Sequence, residues 1–264
     1  MNRSVLTLLL AALLIAGAAF AGCAGTQTPQ TTPTTTVQIK TYIVGIDGEY
    51  PPYSYLDPQG NVTGFDVDSM RWIAQKKGFK VEFQPTAWDG IIPALQAKKI
   101  DLIYSGMTIL EERKEKVNFS IPYWKVNQSV AIHNDTMFTM QDFLAGNLSV
   151  GAQRGTSGQE WVEKNLTTTG KMPKEKLVLY DSFPLVATDL QNKRIDAAIY
   201  DRPPMEDAIE GKPLHIIGEI DTNEVYGVAI RKEDTALLTM INEGLTELMK
   251  DPYWEELKEK YDMG

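Results

Sequence analysis

The chain has 264 residues, 43% of them hydrophobic and 23% charged, and its formal net charge at pH 7 is −9. Phosphate-bearing surfaces are bound by clustered Lys and Arg, so this acidic balance excludes nucleic acid and anionic membranes as partners. The length is enough for one large hydrophobic core or for two ordinary ones.

The amino-terminal segment predicts export. Residues 5–21 are a run of apolar and small residues with a single Thr, and Arg3 precedes the run. It ends in Phe20-Ala21-Gly22-Cys23, which resembles the lipobox of bacterial and archaeal lipoproteins. That resemblance implies a signal peptide at residues 1–23 that ends at the lipidated Cys23. An uncleaved membrane anchor is the alternative, and both place the remaining chain outside the cytosol.

A tether follows the signal. Residues 24–36 are rich in Thr, Pro and Gln, a composition that forms an extended linker and no packed core. Cys23 is the only cysteine of the chain, which excludes an internal disulfide and a cysteine metal cluster. We therefore expect the folded part to begin near Val37.

Strands and helices alternate in the first half of the folded part, which favours a mainly parallel sheet. The pattern of residues 64–77 is helical, and Asp66 or Asp68 can cap its first turn. A capping-box pattern at residues 108–111 predicts the start of a helix that carries Arg113. The other predicted elements are the strands 38–46, 80–84 and 100–104 and the helix 88–97.

The second half repeats this alternation. Residues 126–132 are long enough to cross between two lobes, and residues 224–231 form a predicted strand that returns to the first lobe. A Pro after Asp251 divides the closing helical pattern, residues 235–261, into two helices. The remaining predicted elements are the strands 148–152, 177–180 and 195–200 and the helices 159–165 and 184–192.

One phrase occurs twice, at residues 95–105 and 190–201. In each copy a helical pattern ends in a basic pair, turns, and enters a short apolar strand. The strand ends, Ser105-Gly106 and Tyr200-Asp201, are small or polar. Ligands of open α/β sheets lie beyond the carboxyl ends of the strands, so two such lobes that face each other make a cleft with two walls.

From Val37 to the carboxyl terminus the sequence resembles family 3 of the extracellular solute-binding proteins, the polar amino-acid receptors of ABC importers. The resemblance is carried by Gly64-Phe65-Asp66-Val67-Asp68, residues 88–95, Ser105-Gly106-Met107-Thr108 with Arg113, Gly155-Thr156-Ser157, and residues 195–201. It implies an α/β clamshell of the periplasmic-binding-protein type, with a mixed sheet flanked by helices in each lobe and two crossover segments. Lobe 1 is expected at residues 37–127 and 222–264, and lobe 2 at residues 128–221.

An amino-acid zwitterion needs a cation for its carboxylate. Arg113 suits this role because its planar guanidinium forks onto a carboxylate and stays charged, and the family places an Arg at this spacing. A surface Arg beside acidic neighbours is the alternative. The resemblance adds groups around the same carboxylate: the Gly106 amide and Thr108 from the first lobe, and the amides of Thr156 and Ser157 from the second. It also makes Ser105 a ligand-binding candidate.

The α-ammonium group needs an acceptor, and Asp201 lies at a strand end where the family has a carboxylate for it. A helix cap before Pro203 is the alternative role for Asp201. Tyr50 and Trp88 match positions where the family holds the ligand side chain between ring faces, and Tyr53 lies nearby. Core packing is the alternative for Tyr53 and Trp88.

Asp47 resembles the carboxylate that meets the distal end of the side chain in receptors for basic amino acids and glutamine, and Glu49 adds negative charge. An acidic ligand would need a cation in that subsite, and Arg154, a position expected to be solvated, is the one candidate. We therefore expect arginine or lysine as the ligand, with glutamine and histidine as alternatives.

These expectations combine into one function: high-affinity binding of a polar amino acid outside the cytosol, and delivery to an ABC permease by closure of the clamshell. The expected protein is a monomer anchored by lipid to the outer face of the cytoplasmic membrane, without cofactor or metal. An enzyme similar to cyclohexadienyl dehydratase is one alternative, but His133 and His215 lie in regions that are poor places for a shared active site. A ligand-sensing receptor domain is the other.

Overall fold

The computed structural model describes residues 39–263. The predicted signal peptide at residues 1–23, the lipidation of Cys23 and the tether at residues 24–36 lie outside the described residues. From Ile39 onward the chain forms one compact unit. Within the described residues, no helix combines the length and the hydrophobicity that a bilayer span requires.

The described residues contain thirteen strands and nine α-helices. The strands are β1 (Thr41–Ile46), β2 (Glu49–Tyr50), β3 (Ser54–Leu56), β4 (Val62–Thr63), β5 (Lys80–Pro85), β6 (Leu102–Ile103), β7 (Asn118–Phe119), β8 (Trp124–His133), β9 (Val150–Gln153), β10 (Leu177–Tyr180), β11 (Ala197–Asp201), β12 (Leu214–Tyr226) and β13 (Ala229–Ile230). The helices are α1 (Phe65–Lys77), α2 (Trp88–Gln96), α3 (Glu111–Lys114), α4 (Met140–Leu144), α5 (Ser157–Val162), α6 (Phe183–Gln191), α7 (Arg202–Ile209), α8 (Thr235–Leu248) and α9 (Pro252–Lys260).

Two five-stranded sheets share one topology. Their strand orders are β5-β1-β6-β13-β7 and β10-β9-β11-β8-β12. In each sheet the first three strands are parallel, and the last two are antiparallel to their neighbours. Each sheet with its flanking helices is a lobe, the first lobe and the second lobe. The predicted two-lobed α/β fold with a mixed sheet in each lobe is confirmed, whereas the expectation of mainly parallel sheets misses the antiparallel strands.

The fourth strand of each sheet reaches it by a crossing between the lobes. β8 follows β7 of the first lobe and enters the second sheet, and β13 follows β12 and lies between β6 and β7. Residues 126–132, predicted to be the crossing itself, are part of β8, and the single strand predicted at residues 224–231 is divided between β12 and β13. The expected lobe boundaries fall inside β8 and β12 and remain predictions.

The sequence repeat forms the same local structure in both lobes. α2 and α6 are each followed by a Lys in the left-handed conformation, with φ of 60° at Lys98 and 56° at Lys193. The amide of this Lys donates to the carbonyl three residues before it, and the next amide donates to the carbonyl five residues before. This pair of bonds is a Schellman motif, which satisfies carbonyls at the helix end and reverses the chain into β6 and β11.

An aspartate then ties each repeat to the neighbouring parallel strand of its sheet, β1 or β9. Asp101 accepts the amide of Ile43 at 2.9 Å, and Asp196 accepts the amide of Ser149 at 2.8 Å. Each bond satisfies a backbone donor at the start of β1 or β9 that the ladder leaves unpaired. The repeat therefore fixes the register between helix, turn and sheet in both lobes.

Three local predictions are wrong. α1 has Gly64 at its N-cap and no side-chain cap, since Asp66 and Asp68 have partners elsewhere in the fold. The capping box at residues 108–111 does not form, because α3 begins at Glu111 after an extended Leu110. The helix predicted at residues 159–165 begins earlier, at Ser157, where Thr156 is its N-cap. It then passes into a π-helical turn at Glu163–Thr167.

The closing helices α8 and α9 pack on the first lobe as predicted. Asp251 caps α9 by accepting the amide of Tyr253 at 3.0 Å, and Pro252 occupies the first turn, where its missing amide hydrogen costs nothing. Trp254 of α9 meets Phe65 of α1 edge to face, with ring centroids 4.8 Å apart. Aromatic contacts of this kind stabilise by about 1 kcal/mol beyond the burial of their area.

Candidate functional site

A narrow cavity lies between the lobes, beyond the carboxyl ends of β1 and β11. The side chains that line it nearly fill it, so a ligand of amino-acid size would enter only when the lobes move apart. Both lobes line the cavity: Asp47, Tyr50, Trp88, Gly106, Thr108, Arg113, Thr156, Ser157, Tyr200 and Asp201. All of these except Tyr200 are residues singled out from the sequence.

The two other predicted site residues, Tyr53 and Ser105, are fully buried behind the cavity wall. The Tyr53 ring stacks on Tyr50 with centroids 5.3 Å apart. The Ser105 hydroxyl accepts the amide of Asp47 at 2.9 Å. Each therefore holds a lining residue in position without lining the cavity itself.

Asp66 of the Gly-Phe-Asp-Val-Asp segment fixes the loop after β6. Its carboxylate accepts the Gly106 amide at 2.6 Å and the Tyr123 hydroxyl at 2.8 Å. Gly106 has φ of 56°, and a Cβ there would collide with the Tyr50 ring. Burial raises the pKa of Asp66 to about 8. Because the Gly106 amide already donates to Asp66, the predicted donation of this amide to a ligand carboxylate is wrong.

Arg113 presents a buried guanidinium to the cavity from the short helix α3, with only 5% of the residue exposed. Its two terminal nitrogens donate to the carbonyls of Thr108 and Gly155, both at 2.9 Å, and it lies 5.7 Å from the Trp88 ring centroid. Burial lowers its pKa from the usual value. Among the described residues no carboxylate lies within 4.0 Å of it. A buried cation without an anion is strongly disfavoured, so this group favours an anionic ligand atom.

The Thr108 hydroxyl faces the cavity as an acceptor. It donates its proton to Glu224 Oε2 at 3.1 Å and lies 3.3 Å from the Ser157 hydroxyl of the second lobe. A hydroxyl has one proton, so while Thr108 donates to Glu224 its free lone pairs suit an ammonium group. The predicted support of the ligand carboxylate by Thr108 stays a prediction.

Thr156 has a structural role beside its place in the cavity wall. Its hydroxyl accepts the Gln159 amide at 3.3 Å and donates to the Gln153 carbonyl at 2.7 Å. The side chain is thus used in capping α5. Ser157 follows at the first position of the helix, with its hydroxyl turned toward the first lobe.

Asp201 is the acidic end of the cavity. It stands at the N-cap position of α7 but makes no side-chain cap, since Tyr50 and Gln128 donate to its two oxygens. Burial, and then the negative charge of Glu224, raise the pKa of Asp201 to about 7. A carboxyl group in this state gains a proton or a cation readily, which suits a site for an ammonium group.

Asp47 forms the other acidic wall, at the end of β1. Its carboxylate accepts the Glu49 amide at 3.0 Å and the Gln153 side-chain amide at 3.1 Å. Tyr200, the lining residue that the sequence analysis missed, donates its hydroxyl to Gln153 Oε1 at 2.7 Å. Burial raises the pKa of Asp47. The sequence could have identified Tyr200 as a lining residue, because it stands beside Asp201 at the polar end of the repeat.

The rings of Tyr50 and Trp88 are nearly parallel, 25° apart, with centroids separated by 6.5 Å. A planar group in contact with both rings needs about 7 Å, that is two van der Waals contacts of about 3.5 Å. A flat ligand group between them would therefore require the two rings to move apart. The indole nitrogen of Trp88 donates to the Gly155 carbonyl at 3.1 Å, which fixes its ring plane.

Two other residues considered for ligand specificity lie outside the cavity lining. Arg154 is exposed and faces Asp181 at 3.7 Å. Glu49 is exposed as well. Within residues 39–263, no group of three potential metal ligands is close enough to hold an ion.

Direct hydrogen bonds between the lobes surround the cavity. The Gly155 carbonyl of the second lobe accepts from both Trp88 and Arg113, and Gln153 donates to Asp47. Tyr50 donates to Asp201 at the opposite end. The side chains that line the cavity therefore also hold the lobes together.

Known proteins share this architecture. A model of bacterial extracellular solute-binding proteins, family 3, matches residues 42–264. The L-cystine-binding protein TcyJ of Escherichia coli is 33% identical over 84% of this chain and 82% of that protein. The structure of an ancestral arginine-binding protein bound to arginine is 36% identical, covers 84% of this chain and 97% of its own, and has a TM-score of 0.76.

A further solved structure is the ancestral amino-acid-binding protein AncCDT-1, a precursor of cyclohexadienyl dehydratase, with 35% identity and a TM-score of 0.74. It covers 84% of this chain and 94% of its own. These similarities confirm the periplasmic-binding-protein type of fold, and most of the similar proteins are binding proteins. The family match covers most of the chain, from the first strand onward, and the chain belongs to family 3 of the bacterial extracellular solute-binding proteins.

Proposed function

We propose that the protein binds a free basic amino acid, arginine or lysine, between its lobes and delivers it to an ABC permease. The observation that carries the proposal is Arg113: its guanidinium is buried against the cavity and meets no carboxylate among the described residues. An α-carboxylate would supply the missing anion through a forked pair of hydrogen bonds. Asp201, at the opposite wall, would accept the α-ammonium group.

The charge of the cavity favours a basic side chain. Asp47 and Asp201 bring two carboxylates against the one guanidinium of Arg113, and Glu224 lies behind them, so the ionised site is negative overall. A ligand with a zwitterionic end and a cationic side chain has one positive charge in excess and reduces this imbalance. The cation would lie near Asp47, with its stem between the faces of Tyr50 and Trp88. The arginine-bound ancestral protein supports this choice of ligand.

The mechanism we propose is a movement of the protein between an open form and a closed form. The ligand would bridge Arg113 of the first lobe and Asp201 of the second, and this bridge would select the closed form that a permease recognises. The contacts of Gly155 with Trp88 and Arg113 would be made only in that form.

An enzyme is the second candidate, because one structural neighbour is a precursor of cyclohexadienyl dehydratase and because Asp201 has a pKa of about 7 inside the cavity. We propose that the protein is not an enzyme, since neither His133 nor His215 lines the cavity. Incubation with a cyclohexadienyl carboxylic acid tests this. Release of an aromatic product, measured by absorbance and lost in Asp201→Asn, would favour the enzyme.

We also propose that the protein is a monomer held to the outer face of the cytoplasmic membrane by lipid on Cys23. Mass spectrometry of the membrane fraction is expected to find an acylated amino-terminal peptide that disappears in Cys23→Ser. A Cys23→Ser protein that stays in the membrane would instead support an uncleaved anchor.

A thermal-shift screen against the twenty amino acids tests the binding function. A ligand at a hundredfold excess over its dissociation constant stabilises the fold by about 2.7 kcal/mol. We expect the largest shifts with arginine and lysine and none with glutamate or aspartate. A screen without any shift would contradict the proposed function, and calorimetry with L-arginine would confirm a positive result.

A further inference from the structure

Glu224 joins the binding site from a position that lines no part of the cavity. It stands near the end of β12, the strand that leads back to the first lobe. Its pairing with β8 shifts register between Ile220 and Glu224, and Asn223 within the shift is left-handed with φ of 53°. A β-bulge of this kind re-aims the side chain that follows it. Here the bulge is followed by a carboxylate beside the site.

The Glu224 carboxylate is hydrogen-bonded to both lobes. Its Oε2 atom accepts from the Thr108 hydroxyl of the first lobe at 3.1 Å and from the Gln128 side-chain amide of the second lobe at 3.2 Å. The same Gln128 nitrogen donates to Asp201 and to the Ser157 hydroxyl. One amide group thus serves three acceptors, two of them carboxylates, with only two protons.

The orientation of the Gln128 amide follows from these neighbours. With its oxygen and nitrogen exchanged, the oxygen would face two carboxylates and repel both. As oriented, its Oε1 atom has no hydrogen-bond partner among the described residues and lies where a Cβ on Gly158 would approach within 2.9 Å. The cluster of Gln128, Asp201, Glu224, Thr108 and Ser157 therefore has more acceptors than donors, which is the arrangement that a cationic donor completes.

We propose that Glu224 is a positioning residue for the ligand's α-ammonium group: it holds the Thr108 hydroxyl as an acceptor, shares the Gln128 amide with Asp201, and adds a second negative charge behind both. This inference rests on the proposed function. It names a third acidic residue for the site, one that acts through Thr108 and Asp201 and touches no ligand. Neutralising it would weaken the hold on the ammonium group and leave the carboxylate end unchanged.

The pH dependence gives a signature that a purely structural role would not produce. The negative charge of Glu224 contributes to the raised pKa of Asp201, so Glu224→Gln should lower that pKa. The groups that face Asp201 or interact with its charge are Tyr50, Tyr53, Tyr200, Tyr226, Gln128, Glu224 and Arg113. The four tyrosines stay neutral, because burial raises their pKa well above 10.0. Glu224 and Arg113 are thus the charged neighbours, and Glu224→Gln removes the one that opposes ionisation.

The experiment compares the full chain with Glu224→Gln and with Asp221→Asn, a matched control that removes one charge from an exposed position on the same strand. The probes are L-arginine and 5-guanidinopentanoic acid, which keeps the guanidinium and the carboxylate and lacks the α-ammonium group. At pH 8 we expect Glu224→Gln to lose about tenfold in affinity for L-arginine, the usual effect of a hydrogen bond to a charged group. Its affinity for the deamino analogue should change less than twofold, and Asp221→Asn should match the parent chain with both probes.

Titration of Asp201 by carboxyl ¹³C NMR in the absence of any ligand separates this inference from the proposed function. We expect its midpoint near 7 in the parent chain and in Asp221→Asn, and about one pH unit lower in Glu224→Gln. An unchanged midpoint, or equal losses for both probes, would contradict the role of Glu224. A parent chain that titrates as expected but binds no L-arginine would contradict the proposed ligand and leave the role of Glu224 supported.

Discussion

The two copies of the sequence repeat share a helix end, a left-handed turn and an aspartate, and they differ at their strand ends. Lys98 and Lys193 occupy the same left-handed position, and Asp101 and Asp196 each bond to the neighbouring parallel strand segment of their sheet. At the strand ends the copies differ: the first continues into a glycine held by an internal carboxylate, and the second ends in Tyr200 and Asp201. The comparison teaches that the repeated part builds the scaffold and that the difference at its end supplies the chemistry.

Removal of Arg113, the cation of the first lobe, should have the largest effect. Arg113→Ala is expected to lower amino-acid affinity by at least a hundredfold, since loss of one partner of a buried ion pair costs about 3–5 kcal/mol. Calorimetry measures the affinity, and a thermal melt without ligand checks the fold. Arg154→Ala is the matched control, because Arg154 is exposed and lies outside the cavity. Equal affinities of the two variants would exclude Arg113 from the site.

Substitution of Asp201 tests the role of the strand end in the second copy of the repeat. Ammonium binding needs its ionised form, and its pKa is about 7 in the ligand-free protein. The affinity of the parent chain should therefore be highest above pH 7 and fall as the pH drops below 7, by up to tenfold per pH unit. Asp201→Asn should bind about tenfold or more weakly at pH 8 and lose this dependence between pH 5 and 8. Asp181→Asn is the control, because Asp181 is exposed and lies outside the cavity, and it should show the pH dependence of the parent chain. If Asp201→Asn showed that same pH dependence, Asp201 would be excluded from the site.

Much of this arrangement follows from the sequence alone. The repeat predicts two matching sheets, and the small or polar residues at its strand ends predict a cleft between them. Gln128 and Glu224 escaped notice because each stands in a strand, and only the pairing of β8 with a bulged β12 brings them to Asp201. The Thr108 capping box failed because long-range bonds to Glu224 and Ser157 replaced the local one. Local patterns gave the elements, and non-local pairing decided these side chains.

Substitution of Asp101 and Asp196, the aspartates common to both copies of the repeat, tests whether the repeated part stabilises the fold without taking part in binding. Asp101→Ala and Asp196→Ala each remove a bond to a backbone amide, and Asp101 also pairs with Arg231 at 3.0 Å. We expect losses of about 2 kcal/mol at position 101 and about 1 kcal/mol at position 196 in urea unfolding. Amino-acid affinity should change less than twofold in both. A larger effect on affinity than on stability would show that the repeat itself takes part in binding.

The left-handed lysines give the smallest expected effect. Lys98→Gly and Lys193→Gly relieve a conformation that disfavours a Cβ, but they also add freedom to the unfolded chain. The net gain should be about 0.5 kcal/mol in each lobe. Chemical denaturation of both variants measures it, with Lys99→Gly as the control at a neighbouring position of ordinary backbone conformation. Gains that differ in sign between the lobes would contradict the structural equivalence of the two turns.

The insertion of β13 between β6 and β7 has a consequence for how the protein is made. The first sheet cannot close until residues 229–230 have been synthesised, because β7 pairs only with this late strand among the described residues. The second sheet depends less on its last strand, since β12 lies at the edge and the other four strands pair without it. Contacts between segments far apart in the chain form slowly, so completion of the first sheet is a late step of folding. The topology that lets two segments link the lobes thus also sets the order in which the two sheets can be completed.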